Sequence, residues 1–302
     1  MKTYTFFDFQ KEFPTERACL EYIFNKRYPE GYVHPETGEI YEINSDLYYT
    51  ESRKCYTSAD GKIQVYPTAN TIFHKSSTEL VKWFYVIFRM SNSKTGLSAK
   101  QVQREIGVTY KTAWRMCHLI RKCTGSDHTA LFGTVEIDES YFGGKPRKSN
   151  HNPTTKKRRP HVSDPGRSKD KTPVVGAVQR DGRVVAMVTW DVRKGTVYPF
   201  IEEFVDKNAQ IYTDQYKLYH QLSTLGYSHE TVNHSKDEYV RGEVHTNTIE
   251  GFWSYVKNGI RGAYKHTSPK YLQLYINEYC FRWNYRNDSV ATFRNLLNLS
   301  VA

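Results

Sequence analysis

No two of the five cysteines in this 302-residue chain, Cys19, Cys55, Cys117, Cys123 and Cys280, stand in a C-x-x-C spacing. They imply no disulfide framework, and a reducing cytoplasm is the simplest setting. Long apolar runs are missing too. The longest, WFYVIF at Trp83–Phe88, is far short of a bilayer span and excludes a membrane helix. Met1 leads into polar and aromatic residues rather than a charged patch and an apolar stretch, so no secretory signal is expected. No internal repeat is visible. Acid is the scarcer charge, with 32 Asp and Glu against 43 Lys and Arg, net +11. That balance favours a polyanionic partner, nucleic acid first, although a basic soluble protein without such a partner carries it equally well.

What is present reads as globular, with enough chain for one sizeable core and smaller modules. Cys19, Leu20, Ile23 and Phe24 recur at helical spacing between Thr15 and Arg27. From Gly31 to Ala69 short Tyr/Ile/Val runs alternate with turn signals, the pattern of a small β unit. An apolar helix is expected over Thr78–Met90. Next, Ser98 can cap a short helix, Gly107 sits where a tight turn is needed, and Thr109 can cap a second helix carrying Tyr110, Lys111 and Arg115. This is helix-turn-helix spacing, a loose pattern that two ordinary packed helices also satisfy.

A further domain begins near Leu131. VEID is read as a strand ending at Asp138, and PVVGAVQR and RVVAMVTWD flank the hairpin signal Asp181-Gly182. A helix capped by Thr196, a strand AQIYTD, a helix over Tyr216–Gly226, a short strand ETVNH and helices from about Thr246 and Pro269 follow. Between Lys145 and Lys171, ten Lys or Arg stand against two Asp with few apolar residues. Such a segment cannot bury a core. It reads as an arm that neutralises phosphates, with Lys156, Lys157, Arg158 and Arg159 at its centre, or as a basic linker.

Asp138 and Asp214 each end an apolar strand, where a ligand can reach them. On neighbouring strands the pair would repel itself unless a divalent cation neutralised it, and magnesium suits oxygen ligands. Either residue alone could equally be a turn aspartate. In HTNTIEGFWSYVKNGIRGAYKH, Asn247, Glu250 and Lys257 share one helix face, so Glu250 could complete a metal cage while Lys257 and Arg261 hold a phosphate backbone. Two ions about 4 Å apart would need at least three oxygen ligands. No Arg and His constellation singles out one of the 24 tyrosines, which weighs against a tyrosine nucleophile.

Together, VEIDESYFGGK, YTDQY, VNHS, YVRG and HTNTIEGFWSYVKNGIRGAY closely resemble bacterial insertion-sequence transposases of the ISXO-like family, related to Merlin elements. The likeness also runs through TIFHKSSTELVKWFYVIFRMS and GLSAKQVQREIGVTYKTAWRM. It implies an α/β fold: a ribonuclease-H-like catalytic domain with a mixed five-stranded sheet and helices, preceded by a zinc-ribbon-like module and a helix-turn-helix. The expected division is 1–74, 75–127 and 128–302, with the basic insertion at 145–171. The implied function is a DDE-type DNA transposase that binds terminal inverted repeats, cleaves phosphodiesters with two Mg2+ or Mn2+ ions and joins the freed 3′ hydroxyl to target DNA. Its metal ligands would be Asp138, Asp214 and Glu250, with Asn247 the second choice for the third position. Double-stranded DNA and a homodimer or larger assembly on it are the implied partners. A nuclease without joining activity and a non-catalytic DNA-binding descendant are the alternatives. The family's zinc knuckles are degenerate here: His34 and Thr37 fill the first, Cys55 and Ser58 the second. Thr and Ser are poor zinc ligands, so no structural zinc is expected.

Overall fold

Arg294 donates to both carboxylate oxygens of Glu12, at 2.6 and 2.7 Å, so the first packed unit joins the two ends of the chain. The computed structural model describes residues 3–125, 129–143, 171–232 and 244–302. One unit comprises Met1–Thr124 with Tyr285–Ala302, the other Gly125–Asn284. Among the described residues no helix is long and apolar enough to cross a membrane.

In the first unit α1 (Phe6–Glu12) opens with a reciprocal Thr5–Asp8 capping box. Thr15 caps α2 (Glu16–Arg27), which buries the Cys19, Leu20, Ile23 and Phe24 that the spacing predicts. A short hairpin, β1 (Tyr32–Val33) with β2 (Ile40–Tyr41), precedes an antiparallel meander of β3 (Leu47–Thr50), β4 (Cys55–Ser58) and β5 (Gln64–Val65). The strongly buried α3 (Leu80–Asn92) forms the centre of the core with Trp83, Phe84, Ile87 and Phe88. Then come α4 (Ala99–Ile106) and α5 (Tyr110–Cys123), separated by Gly107 in the left-handed region at φ +67°, where a Cβ would be strained. The C-terminal helix, Ser289–Val301, sets Phe293 against Tyr4 at 4.7 Å and Phe88 at 6.0 Å. The sequence division placed 285–302 with the catalytic segment. In the structure these residues belong to the first unit, because the apolar face of Phe293, Leu296 and Leu297 is buried in its aromatic core.

The second unit is built on five strands: β6 (Thr134–Phe142), β7 (Thr172–Gln179), β8 (Val184–Val188), β9 (Gln210–Asp214) and β10 (Ser228–Val232). Their order is β10-β9-β6-β7-β8, with β6, β7 and β8 antiparallel in turn and β9 and β10 running parallel to β6. This mixed sheet fits the ribonuclease-H-like expectation. One face buries Val135, Ile137, Val175 and Ala177 under α6 (Lys194–Phe204). The other buries Val174, Val178, Val184 and Ala186 under α7 (Asn247–Gly259) and α8 (Pro269–Asn284). Edge strand β8 is sealed by side chains: Val184 and Val188 donate their N–H groups to Asn284 (2.7 Å) and Gln273 (2.6 Å), whose amides donate back to the Val184 and Ala186 carbonyls at 3.1 Å.

Three local expectations change. Residues 216–226 form two short 3-10 turns, Tyr219–Gln221 and Ser223–Leu225, rather than an α-helix. Tyr198 donates its hydroxyl to the Leu218 carbonyl at 2.6 Å, occupying an acceptor that an α-helix would use, and Leu222 N–H bonds Tyr219 instead. Helix α6 starts at Lys194 with Arg193 at the cap position, and Thr196 donates to Asp191 at 2.7 Å. Strand β6 runs on to Phe142, so Asp138 lies in mid-strand rather than at its end.

Candidate active site

The parallel pairing of β6 with β9 stops at Glu136 opposite Tyr212. Two residues further on, Asp138 and Asp214 stand level and share a face by strand alternation, Asp138 just beyond the last pair and Asp214 as the last residue of β9. On its other side Asp138 pairs with Gly176 of β7. The strand is therefore open toward Asp214 while held toward β7. Glu139 points to the opposite face, where it accepts a hydrogen bond from the buried Tyr219 hydroxyl at 2.9 Å. Burial, reinforced by the charges of Glu139, Asp214 and Glu250, pushes the Asp138 carboxyl up to about 7. Both aspartates are half-buried.

Helix α7 is docked against this row by a carboxylate that sequence reading passed over. Glu136, fully buried two residues before Asp138 on the same face, accepts from the Thr248 and Ile249 N–H groups at 2.8 and 3.1 Å. It thereby supplies the cap that Thr246 does not, and its charge lies at the positive end of the helix. Glu136 also accepts from Thr248 Oγ1 (3.0 Å) and Arg180 Nε (2.8 Å), with His245 Nδ1 at 3.2 Å. Further along α7, Trp253 covers Gly176: a Cβ there would lie 2.6 Å from the indole. Gly176→Ala is expected to cost about 1–3 kcal/mol by overpacking, measured as a lower urea midpoint at unchanged slope; an unchanged midpoint would show that the helix has room to move.

With α7 fixed in this way, Glu250 is exposed and accepts from Thr246 Oγ1 at 3.0 Å, while Asn247, the first residue of the helix, is also exposed. Lys257 is half-buried with its ammonium 5.9 Å from the Phe142 ring. Burial lowers its pKa, and the Asp138 charge opposes that lowering. The sequence reading sets Arg261 beside Lys257 along one phosphate groove; in the structure α7 ends at Gly259 and Arg261 lies in the π-helical turn Ile260–Tyr264 that follows. Arg261 is exposed and still close enough for its charge to act on Lys257. The level pair Asp138 and Asp214 offers carboxylate oxygens, which suit a hard divalent cation. Among the described residues, however, no three acidic, histidine or cysteine side chains are gathered into a ready metal cage. Like-charge repulsion without a cation opposes such a gathering.

The ISXO2-like transposase domain family matches residues 130–284, the span of this sheet and its helices. The chain belongs to that family. A protein in transposable element ISH50 of Halobacterium salinarum is 26% identical to this transposase over 273 residues, covering 88% of this chain and 91% of the relative. A transposase-like protein of Haemophilus influenzae is 26% identical over 119 residues, 39% of this chain and 94% of its own. Among solved structures, a chain of the simian T-cell lymphotropic virus intasome in complex with PP2A regulatory subunit B56 gamma has a TM-score of 0.31 at 12% identity, over 65% of each chain. That likeness is too distant to bear on fold or function.

The transposase's other expected site residues lie in its first unit or outside the described residues. Tyr110, Lys111 and Arg115 are exposed on α5, with Lys100 of α4 4.9 Å from the Tyr110 ring. Lys156, Lys157, Arg158 and Arg159, with most of the basic insertion, fall outside the described residues, as does most of VNHS and YVRG. At the four positions where the sequence resemblance puts zinc knuckles, each side chain is engaged locally. His34 Nδ1 accepts from the Glu36 and Thr37 N–H groups at 3.3 Å, and Thr37 Oγ1 donates to Glu39 at 3.3 Å. Cys55 is buried with its sulfur 3.6 Å from Thr57 Oγ1, and Ser58 Oγ donates to Asp60 at 2.6 Å. Glu136 was legible in principle, since an acid two residues before Asp138 shares its face by simple alternation.

Proposed function

We propose that this transposase binds the ends of its element, hydrolyses a phosphodiester to free a 3′ hydroxyl and joins that hydroxyl to target DNA, as a DDE-type enzyme. The observation that carries the reading is the level placement of Asp138 and Asp214 on adjacent parallel strands, with Asp138 pushed up to about 7 by burial and neighbouring acid charge. A carboxylate so placed gains most from a cation. Asp138, Asp214 and Glu250 would hold two Mg2+ or Mn2+ ions, Glu250 being preferred over Asn247 because a carboxylate binds magnesium better than an amide. Bound there, the ions would supply Lewis acidity at phosphorus and a lowered pKa for an attacking water.

The remaining roles belong to the chain itself. Glu136 holds α7, and hence Glu250, against the aspartate row. Lys257, half-buried near Asp138, and the exposed Arg261 hold the phosphate backbone. Tyr110, Lys111 and Arg115 on α5 read the ends as the second helix of a helix-turn-helix, and Lys156–Arg159 add backbone contacts. Cutting both ends together calls for a dimer or larger assembly on DNA. The test is incubation of purified protein with duplexes from the DNA bordering its gene, with magnesium or with EDTA, and with pre-cut ends to score joining. Magnesium-dependent nicking plus joining is the expected result; nicking without joining would reduce the protein to a nuclease.

The N-terminal module would fold without zinc, because His34, Thr37 and Ser58 are held in hydrogen bonds of their own turns. Purified protein is expected to carry far less than one zinc per chain and to keep its melting temperature in chelator. Stoichiometric zinc would overturn this.

A further inference from the structure

Trp190 is completely exposed, at 100%, where no other large apolar side chain among the described residues exceeds 79%. The residue before it is held. Thr189 N–H donates to the Pro173 carbonyl at 3.0 Å, extending the β7–β8 pairing by one step, so Trp190 emerges at the end of β8. Asp214, Asp138, Gly176 and Ala186 form one row across the sheet, and Trp190 lies four residues beyond Ala186, toward the end at which β9 stops. Strand rise and spacing put it roughly 16 Å from Asp138. That is about five base-pair steps.

An indole left in water forgoes the stabilisation that burying so large a ring brings, so the position suits a flat partner supplied from outside. Beyond the acidic Asp191, two basic residues follow at Arg193 and Lys194. Arg193 and Lys194 are both exposed, Arg193 lying 3.3 Å from Asp191, and α6 begins at Lys194 without a side-chain cap. Phosphate oxygens are favoured by such side chains and by an uncapped helix start. We propose that Trp190 is a stacking platform for an unpaired base of the DNA substrate, with Arg193 and Lys194 on the adjoining phosphates. Aromatic stacking accepts any base, so the platform would hold a nucleotide opened near the cut rather than read sequence.

This inference rests on the DNA-cutting function proposed above, and its test separates the two. End duplexes carrying 2-aminopurine at successive positions near the scissile bond are bound by Asp138→Asn protein, which needs binding alone. One position is expected to show quenching that Trp190→Ala removes and Trp190→Phe keeps. In protein with Asp138 intact, Trp190→Ala is expected to slow cutting of paired ends by about tenfold or more, the scale of one base–aromatic stack. A mismatch at the quenched position should bring the rate back to within about threefold. Equal slowing on paired and mismatched ends, or no position-specific quenching, would overturn the platform, as would a change in oligomeric state alone. Failure of the unsubstituted protein to cut any end would overturn the function instead.

Discussion

Asp138→Asn is expected to abolish magnesium-dependent cleavage, by about 10³-fold or more, with end binding retained. A metal-held oxygen contributes several kcal/mol at the transition state, and each ~1.4 kcal/mol is a tenfold change in rate. Binding is expected to survive because phosphate contacts are assigned to Lys257, Arg261 and α5 instead. Without metal, the same substitution is expected to stabilise the protein at pH 8. Burial and the charges of Glu139, Asp214 and Glu250 raise the Asp138 carboxyl to about 7, above its unfolded value near 3.9. The folded state then binds the extra proton, so stability falls as pH rises between those values, and Asn removes that loss. The gain should fade toward pH 4. Unchanged magnesium-dependent cutting by the Asn variant would sink the assignment of Asp138. An equal melting-temperature difference at pH 4 and pH 8 would refute the charge argument alone.

Glu136→Ala should be the most destabilising single change in the second unit, at about 3–5 kcal/mol. It strands Arg180, whose side chain is 18% exposed, and leaves the Thr248 and Ile249 N–H groups without their acceptor. That loss is a large share of the ~5–15 kcal/mol that holds a domain together. Glu136→Gln keeps one acceptor for the helix but turns an amide donor toward Arg180 or Thr248, and should cost less than Ala. In urea titrations, Glu136→Ala with Arg180→Ala is expected to cost less than the sum of the single changes, because no charge is then stranded. Strict additivity would show that the two side chains act independently. A loss below about 1 kcal/mol would show that α7 is held by Ile249, Phe252 and Trp253 alone.

The sheet was readable because its signals are local. VEID, IYTD and the Asp181-Gly182 turn are short apolar runs with clear stops, and each lies in or beside the strand expected. The two aspartates stood out as candidates for the same reason, although the sequence could not show that β6 continues past Asp138 through Ser140 and Phe142. What escaped depends on distant partners. The turns at 219–225 follow from a hydroxyl on Tyr198, and the place of the C-terminal helix follows from Glu12 and the aromatic cluster near the N-terminus. Periodicity reports which face of an element is apolar, not which other element will cover it. Glu136 escaped because its neighbours Val135 and Ile137 made the strand read as uniformly apolar.

The amides of Gln273 and Asn284 have one more effect, on how copies of this chain can meet. By occupying both outward-facing groups of Val184, the Ala186 carbonyl and the Val188 N–H, they leave β8 only a broken ladder to offer a strand from another molecule. Sheet-to-sheet extension across that border is disfavoured, and a synaptic complex in which protomers joined there would rely on side chains more than on backbone.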